Sequence, residues 1–256
     1  MQKKHQQDAR AKGRIKLSCA KCRLRANDAF REFERDELDF IETFKVGELA
    51  IDAGATILMD GQDSPHLYTV LSGWAVRFKL FEGGQRQVLN FSMPGDLIGL
   101  QSAMFDKMHH TVESLTDMQL CVFNRDRVWE LYRLHPGLGF DMTWLAAREE
   151  SIMAEYLANV GQRPALERIA YLILHLLERG RRAGLAKGNT LMTPITQEHV
   201  ADAIGLSIVH TNKTLQRLRA TGLMTWKRGE ITIHDAERMA GIAGFQASGA
   251  GRRPFI

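Results

Sequence analysis

At His135-Pro136 the apolar pattern of this 256-residue chain changes period, and that switch separates what can fold before it from what can fold after it. Upstream, from about Phe44 to Phe123, β-rich runs such as Leu67-Tyr68-Thr69-Val70-Leu71, Ala75-Val76-Arg77-Phe78-Lys79-Leu80 and Gln87-Val88-Leu89-Asn90-Phe91 alternate with turn signals at Gly47, Gly54, Gly61, Gly73, Gly83-Gly84 and Pro94-Gly95. Short strands at that spacing predict an antiparallel sandwich, roll or barrel. Downstream, Phe140, Trp144, Ala147, Ser151, Ala154 and Ala158 recur at alternating four and three residues, which sets them in one stripe of a long helix. The stripe is narrow and ends in small residues, as a seam does where two helices approach closely. These six residues are the candidate dimer interface.

Gly161 and Pro164 end that helix, and Ile169, Leu172, Ile173, Leu176 and Leu177 mark one face of the next, from about Ala165 to Arg182, before a loop Gly184–Asn189. Thr196 is placed to cap a short helix Gln197–Ile204, Gly205 supplies a turn, and Ser207 is placed to cap a second helix running to about Ala220. Helix, glycine turn and capped helix form the helix-turn-helix signature. Met224-Thr225-Trp226 and Ile231-Thr232-Ile233 bracket Arg228-Gly229, which predicts a two-stranded wing with cations at its tip.

The charge agrees with this division. The chain carries only +4 overall, but residues 161–256 hold fourteen Lys/Arg against seven Asp/Glu, residues 1–25 hold nine Lys/Arg against Asp8 alone, and the stretch between is acidic. A basic C-terminal region beside an acidic middle is the footprint of a nucleic-acid-binding module joined to a non-binding one. No run of 18 apolar residues occurs and Met1–Arg10 lacks the apolar core of a signal peptide, so a cytoplasmic chain with no membrane partner is expected. Three cysteines cannot build a disulfide framework, which leaves them as candidates for metal or redox chemistry. No phosphate-binding glycine loop, zinc-protease helix or nucleophile elbow appears, and no βαβ unit surrounds Cys19, so enzymatic turnover is not expected.

The run Thr196 to His234, the β segment with Leu71-Ser72-Gly73 and Pro94-Gly95-Asp96-Leu97-Ile98-Gly99, and the long helix after Pro136 together resemble the Crp/Fnr family of bacterial transcription regulators, over about residues 44–235. The resemblance implies an α+β chain in four parts. They are a basic N-terminal segment (1–30), a sensory β-roll of the cyclic-nucleotide-binding kind (31–134), a dimerisation helix (135–160) and a winged helix-turn-helix domain (161–256). It also implies a homodimer on two-fold symmetric double-stranded DNA, with RNA polymerase as a further partner. Positions that touch bases in the family fall on Val209, Asn212 and Lys213, with Ile208 and His210 beside them after the Ser207 cap. Arg217, Lys227 and Arg228 are better placed for phosphates.

Members that bind a cyclic nucleotide use a Gly-Glu pair for the ribose and an Arg-Ser or Arg-Thr pair for the phosphate. Here Gly99 is followed by Leu100, and the later stretch reads His109-His110-Thr111. An unpaired buried phosphate would cost roughly 3 kcal/mol or more, so no cyclic nucleotide is expected. The cysteines resemble the oxygen-sensing Fnr branch instead, in which an N-terminal group and one cysteine near the end of the roll hold a [4Fe-4S] cluster. The matching ligands are Cys19, Cys22 and Cys121, while the branch's remaining cysteine position falls on Asp28, a carboxylate. Lys16, Lys21, Arg23 and Arg25 would favour thiolates there. A thiol or disulfide switch, a zinc site completed by Asp28 or His5, and an unidentified small effector in the roll are the alternatives.

Overall fold

The computed structural model describes residues 18–247 and 251–256. The roll begins after helix α1 (Arg35–Phe44), whose capping box pairs Glu34 with Glu37. Its strands are β1 (Lys45–Ile51), β2 (Thr56–Leu58), β3 (His66–Ser72), β4 (Ala75–Leu80), β5 (Arg86–Ser92), β6 (Leu97–Ile98), β7 (Thr111–Ser114) and β8 (Met118–Asn124). They form two four-stranded sheets, in the orders β1-β8-β3-β6 and β2-β7-β4-β5, with every pair antiparallel. Ile51, Val70, Val112, Met118 and Leu120 lie among the side chains that fill the space between them. Helix α2 (Leu100–Phe105) follows β6, and α3 (Val128–Leu134) leads into α4 (Pro136–Gln162), with Pro136 in its first turn, where its missing N–H goes unused.

Helix α4 divides its surface in two. Leu138, Met142, Leu145, Ile152 and Tyr156 are buried against the chain's own core. The stripe Phe140, Ala147, Ser151, Ala154 and Ala158 is exposed, with Trp144 half-buried, and Phe140 and Leu157 are 69% and 75% exposed. Of these stripe residues, Trp144 packs against the roll's own apolar core, and the other five stay exposed. Of the acids flanking the stripe, Glu149 pairs with Arg77 of the roll and Glu155 accepts the Tyr171 hydroxyl at 2.9 Å.

Helix α5 (Ala165–Arg182) spans the predicted residues, and its apolar face packs under α6 (Gln197–Ile204), α7 (Ile208–Ala220) and α8 (Ala236–Ala243). The wing is larger than the predicted pair. Strands β11 (Met224–Lys227) and β12 (Glu230–Ile233) are joined by β10 (Thr190–Met192) and β9 (Ala186–Lys187), in the order β11-β12-β10-β9. Both extra strands are only two or three residues long; β9 lies in the Gly- and charge-rich stretch predicted as loop and β10 directly follows it, so their pairing comes from the partner strand rather than from local propensity.

The parts meet at one buried carboxylate. Asp96, on the turn before β6, binds Arg179 of α5 at 2.6 Å and Arg253 of segment 251–256 at 3.0 Å, with Arg148 of α4 at 3.6 Å. Burial alone would raise the Asp96 carboxyl, but these guanidiniums, Arg179 foremost, hold it well below the usual carboxylate range. Asp96→Asn leaves buried guanidiniums without their counter-charge and should lower the unfolding free energy by about 3–5 kcal/mol in urea titrations. A loss below about 1 kcal/mol would mean that the arginines find other partners.

Candidate nucleic-acid interface and cysteine cavity

The two helices of the helix-turn-helix are set by their caps. The Thr196 hydroxyl accepts from the His199 backbone N–H while His199 Nδ1 accepts from the Thr196 N–H at 3.1 Å, a reciprocal pair that starts α6. Val200, Ala201, Ala203 and Ile204 are buried, and Gly205 closes the helix at φ +67°, a left-handed conformation that suits glycine. Ser207 then caps α7 by accepting from the His210 N–H. Thr211, Thr214, Leu215 and Leu218 face inward, which leaves Ser207, Ile208, Val209, His210, Lys213 and Arg217 exposed, with Val209 at 61%. Lys227 and Arg228 are exposed at the wing tip. Asn212 differs from the rest: it is half-buried, and its Oδ1 is enclosed without a hydrogen-bond partner.

The first helix is also tied to the roll. Arg86 of β5 pairs with Asp202 at 2.8 Å, and the Gln87 amide donates to the Ala203 carbonyl at 3.3 Å. Arg168 of α5 donates to the Ile204 carbonyl, one of the acceptors that the helix end leaves open.

On the opposite side of the roll, strand pairing brings the cysteines together. Cys121 on β8 stands opposite Glu48 on β1 and Thr69 on β3. A short 3-10 turn, Cys19–Lys21, begins at Ser18, whose hydroxyl accepts from the Ala20 N–H, and the Cys22 N–H closes it onto the Cys19 carbonyl at 3.2 Å. All three thiols line one cavity with Lys45, Glu48 and Phe33. Cys19 and Cys121 are buried and Cys22 half-buried. Burial pushes the Cys121 thiol well up, and that of Cys19 up as well, with Lys45 pulling both the other way. Burial works most strongly against the Lys45 charge, but its 2.7 Å bond to Glu48 and the neighbouring Cys121 and Cys19 together leave it raised.

Lys45 and Glu48 carried no signal as site residues in the sequence, because only the β1–β8 register puts them beside Cys121. Lys21 and Arg23 also line the cavity, whereas Arg25 turns to the Ala20 carbonyl. Lys16 and His5 lie outside the described residues. Asp28 does not line the cavity. It is exposed, in a shallow depression with Glu178, Arg181 and Arg182, because the second 3-10 turn, Arg23–Ala26, has already carried the chain away and the Asn27 amide is fastened to the Arg182 carbonyl at 2.9 Å.

A second cavity lies between the roll and α4, lined by Arg77, Gly99, Leu100, His110, Arg148 and Glu149 among others. Leu100 indeed follows Gly99 on its wall, and Arg77 is already engaged by Glu149 and by His110 at 3.1 Å. Burial, reinforced by Arg77, pushes His110 down to about 3, so it is neutral at physiological pH.

The cyclic nucleotide-binding domain model matches residues 48–135 and the Crp-like helix-turn-helix domain model residues 167–242, one on each side of the α4 break. The chain belongs to the Crp/Fnr family of DNA-binding transcription regulators. It is 25% identical over 238 residues to the transcriptional activator protein FnrL of Cereibacter sphaeroides, covering 90% of this chain and 94% of that one. It is 24% identical to the nitrogen fixation regulation protein FixK of Bradyrhizobium diazoefficiens, over 88% and 93% of the two chains. With the fumarate and nitrate reduction regulatory protein of Salmonella typhimurium the identity is 26%, over 83% and 84%. Among solved structures, FixK2 from Bradyrhizobium japonicum shares the fold with a TM-score of 0.69 at 22% identity, over 78% of this chain and 98% of that one. The curated relatives are named as a transcriptional activator and as regulation or regulatory proteins, in keeping with a chain read as non-enzymatic. Among the described residues no helix is long and apolar enough to cross a membrane.

Proposed function

We propose that this family member is a homodimeric, sequence-specific transcription regulator whose DNA binding responds to oxygen or redox state through a [4Fe-4S] cluster held by Cys19, Cys22 and Cys121. The observation that carries this reading is the convergence on one cavity of two thiols from an N-terminal turn and a third from β8, about a hundred residues away. Among the described residues no group of three His, Cys, Asp or Glu side chains is already set to hold a metal ion, so either a cluster or a zinc ion would have to draw the thiols together. The curated relatives of the Fnr and FixK kind support the same reading. When bound, such a cluster supplies redox chemistry and sensitivity to oxygen.

The residues around it have distinct parts in this reading. Lys45 offsets the charge of the deprotonated thiols, and Phe33 and Phe255 keep water from the cavity. Glu48 rather than Asp28 offers the fourth donor, since its carboxylate lines the cavity opposite Cys121 while Asp28 faces another surface. The exposed stripe of α4 is the dimer seam, and the exposed face of α7 enters the major groove of a two-fold symmetric site, with Arg217, Lys227 and Arg228 on phosphates. Val209 presents a methyl-rich surface to a thymine, where a glutamate would accept from cytosine.

Anaerobically purified protein should be coloured and contain iron and sulfide, and Ser in place of Cys19, Cys22 or Cys121 should abolish this. Glu48→Gln should make the cluster more labile in absorption decay, with Asp28→Asn without effect. A colourless, iron-free protein refutes the cluster, and sensitivity to Asp28→Asn alone returns the fourth position to Asp28. Ala154→Glu, which sets like charges across the seam, should weaken the dimer about tenfold or more in sedimentation; an intact dimer places the seam elsewhere. In binding-site selection from random DNA, Val209→Glu should change the preferred base at one symmetric position per half-site, and an unchanged consensus refutes this docking of α7.

A further inference from the structure

Segment 251–256 lies far in sequence from the roll yet is built into it. Its backbone forms a parallel bridge with Phe30, with the Arg253 N–H donating to the Ala29 carbonyl and the Arg31 N–H donating to the Arg253 carbonyl, both at 2.9 Å. Arg253, Phe255 and Ile256 are each 3% exposed. The Arg253 guanidinium lies 4.7 Å over the Phe30 ring and donates to Asp96 at 3.0 Å and to the Pro94 carbonyl at 2.9 Å. The Phe255 ring packs 5.3 Å from Phe30 and 4.8 Å from Phe33.

The roll is shaped to receive this segment. Gly95, at φ +86°, runs so close beneath it that a Cβ there would collide with the Phe30 ring and the Arg253 guanidinium. The two ends of the segment touch different machinery. Phe255 and Ile256 form part of the wall of the cysteine cavity, and the Ile256 backbone oxygen accepts from the hydroxyl of Thr69, the cross-strand neighbour of Cys121. At the other end, Arg253 takes one oxygen of Asp96 while Arg179, on the helix under the DNA-reading pair, takes the other. Arg179 also donates to the Asn90 side chain on β5, the strand that holds α6.

We propose that segment 251–256 is a docked strap that seals the cysteine cavity and shares Asp96 with α5, so that opening the cavity and loosening α5 from the roll are one event. Anything that swells the cavity presses on Phe255 and Ile256. That displacement draws Arg253 from Asp96, and Arg179 then keeps a carboxylate no longer fixed from the other side. The coupling belongs to the protein itself and does not depend on what occupies the cavity.

The test uses the full chain in two substitutions at opposite ends of the strap. Arg253→Met acts away from the thiols, and Phe255→Ala acts away from Asp96. In cluster-free, reduced protein, Arg253→Met should speed alkylation of Cys121 by iodoacetamide, followed by mass spectrometry, by about tenfold or more. Phe255→Ala should speed amide hydrogen exchange in α5 around Arg179 by a similar factor, while exchange in β3 and β8 keeps its wild-type rate and shows the roll to be folded. If Arg253→Met loosens α5 and leaves Cys121 at its wild-type alkylation rate, or Phe255→Ala opens the cavity without change in α5, the two ends are independent and the proposal fails. If either variant loosens β3 and β8 as well, the segment is a general structural element and the proposal fails on that ground. Both readouts are taken without iron, so absence of a cluster leaves the strap standing, and failure of the strap leaves the cluster standing.

Discussion

One carboxylate fixes how this chain is put together. Asp96 is buried, accepts from the Met93 backbone N–H at 2.8 Å, and faces guanidiniums from α4, from α5 and from segment 251–256. An ionised carboxylate costs several kcal/mol to remove from water, and partners on one element would repay this without joining anything. Because the partners come from three, the carboxylate is satisfied only when the roll, the long helix, the DNA-reading half and the tail are all in place. The burial that strengthens each contact also makes any one of them expensive to break alone.

The parts legible in the sequence are those with a local physical cause. Thr196, Gly205 and Ser207 announce the ends of α6 and α7 because capping and left-handed turns act within four residues, and α5 starts directly after Pro164 and spans the predicted Ala165–Arg182. The stripe on α4 was legible for the same reason, since a period of three and four residues encodes a face. That the face stays exposed along the chain's own fold required the structure.

What the sequence hid depends on register and on contacts between distant segments. Lys45 and Glu48 become site residues through a strand pairing that no spacing announces. Arg253 looks like one more basic residue of a basic region, although its charge is spent inside the protein rather than on a nucleic-acid surface. Asp28 shows the converse: a residue of suitable type at the expected interval that lies off the cavity wall. Counting from Cys22 by the family's interval lands on a carboxylate of suitable chemistry, but the 3-10 turn at Arg23–Ala26 shortens the path and sends it to the other surface.

The wing tip has an energetic side of its own. Arg228 sits at φ +51° and is followed by Gly229 at φ +77°, so the two-residue hairpin places a side-chain-bearing residue where the backbone prefers glycine. Left-handed backbone costs an L-residue of this kind roughly 1–2 kcal/mol, and that cost falls at a point where an exposed cation leads the domain's surface. At this position stability and charge presentation are opposed. A chain relaxed there would fold more firmly, whereas this one carries an exposed cation on a turn held in left-handed backbone.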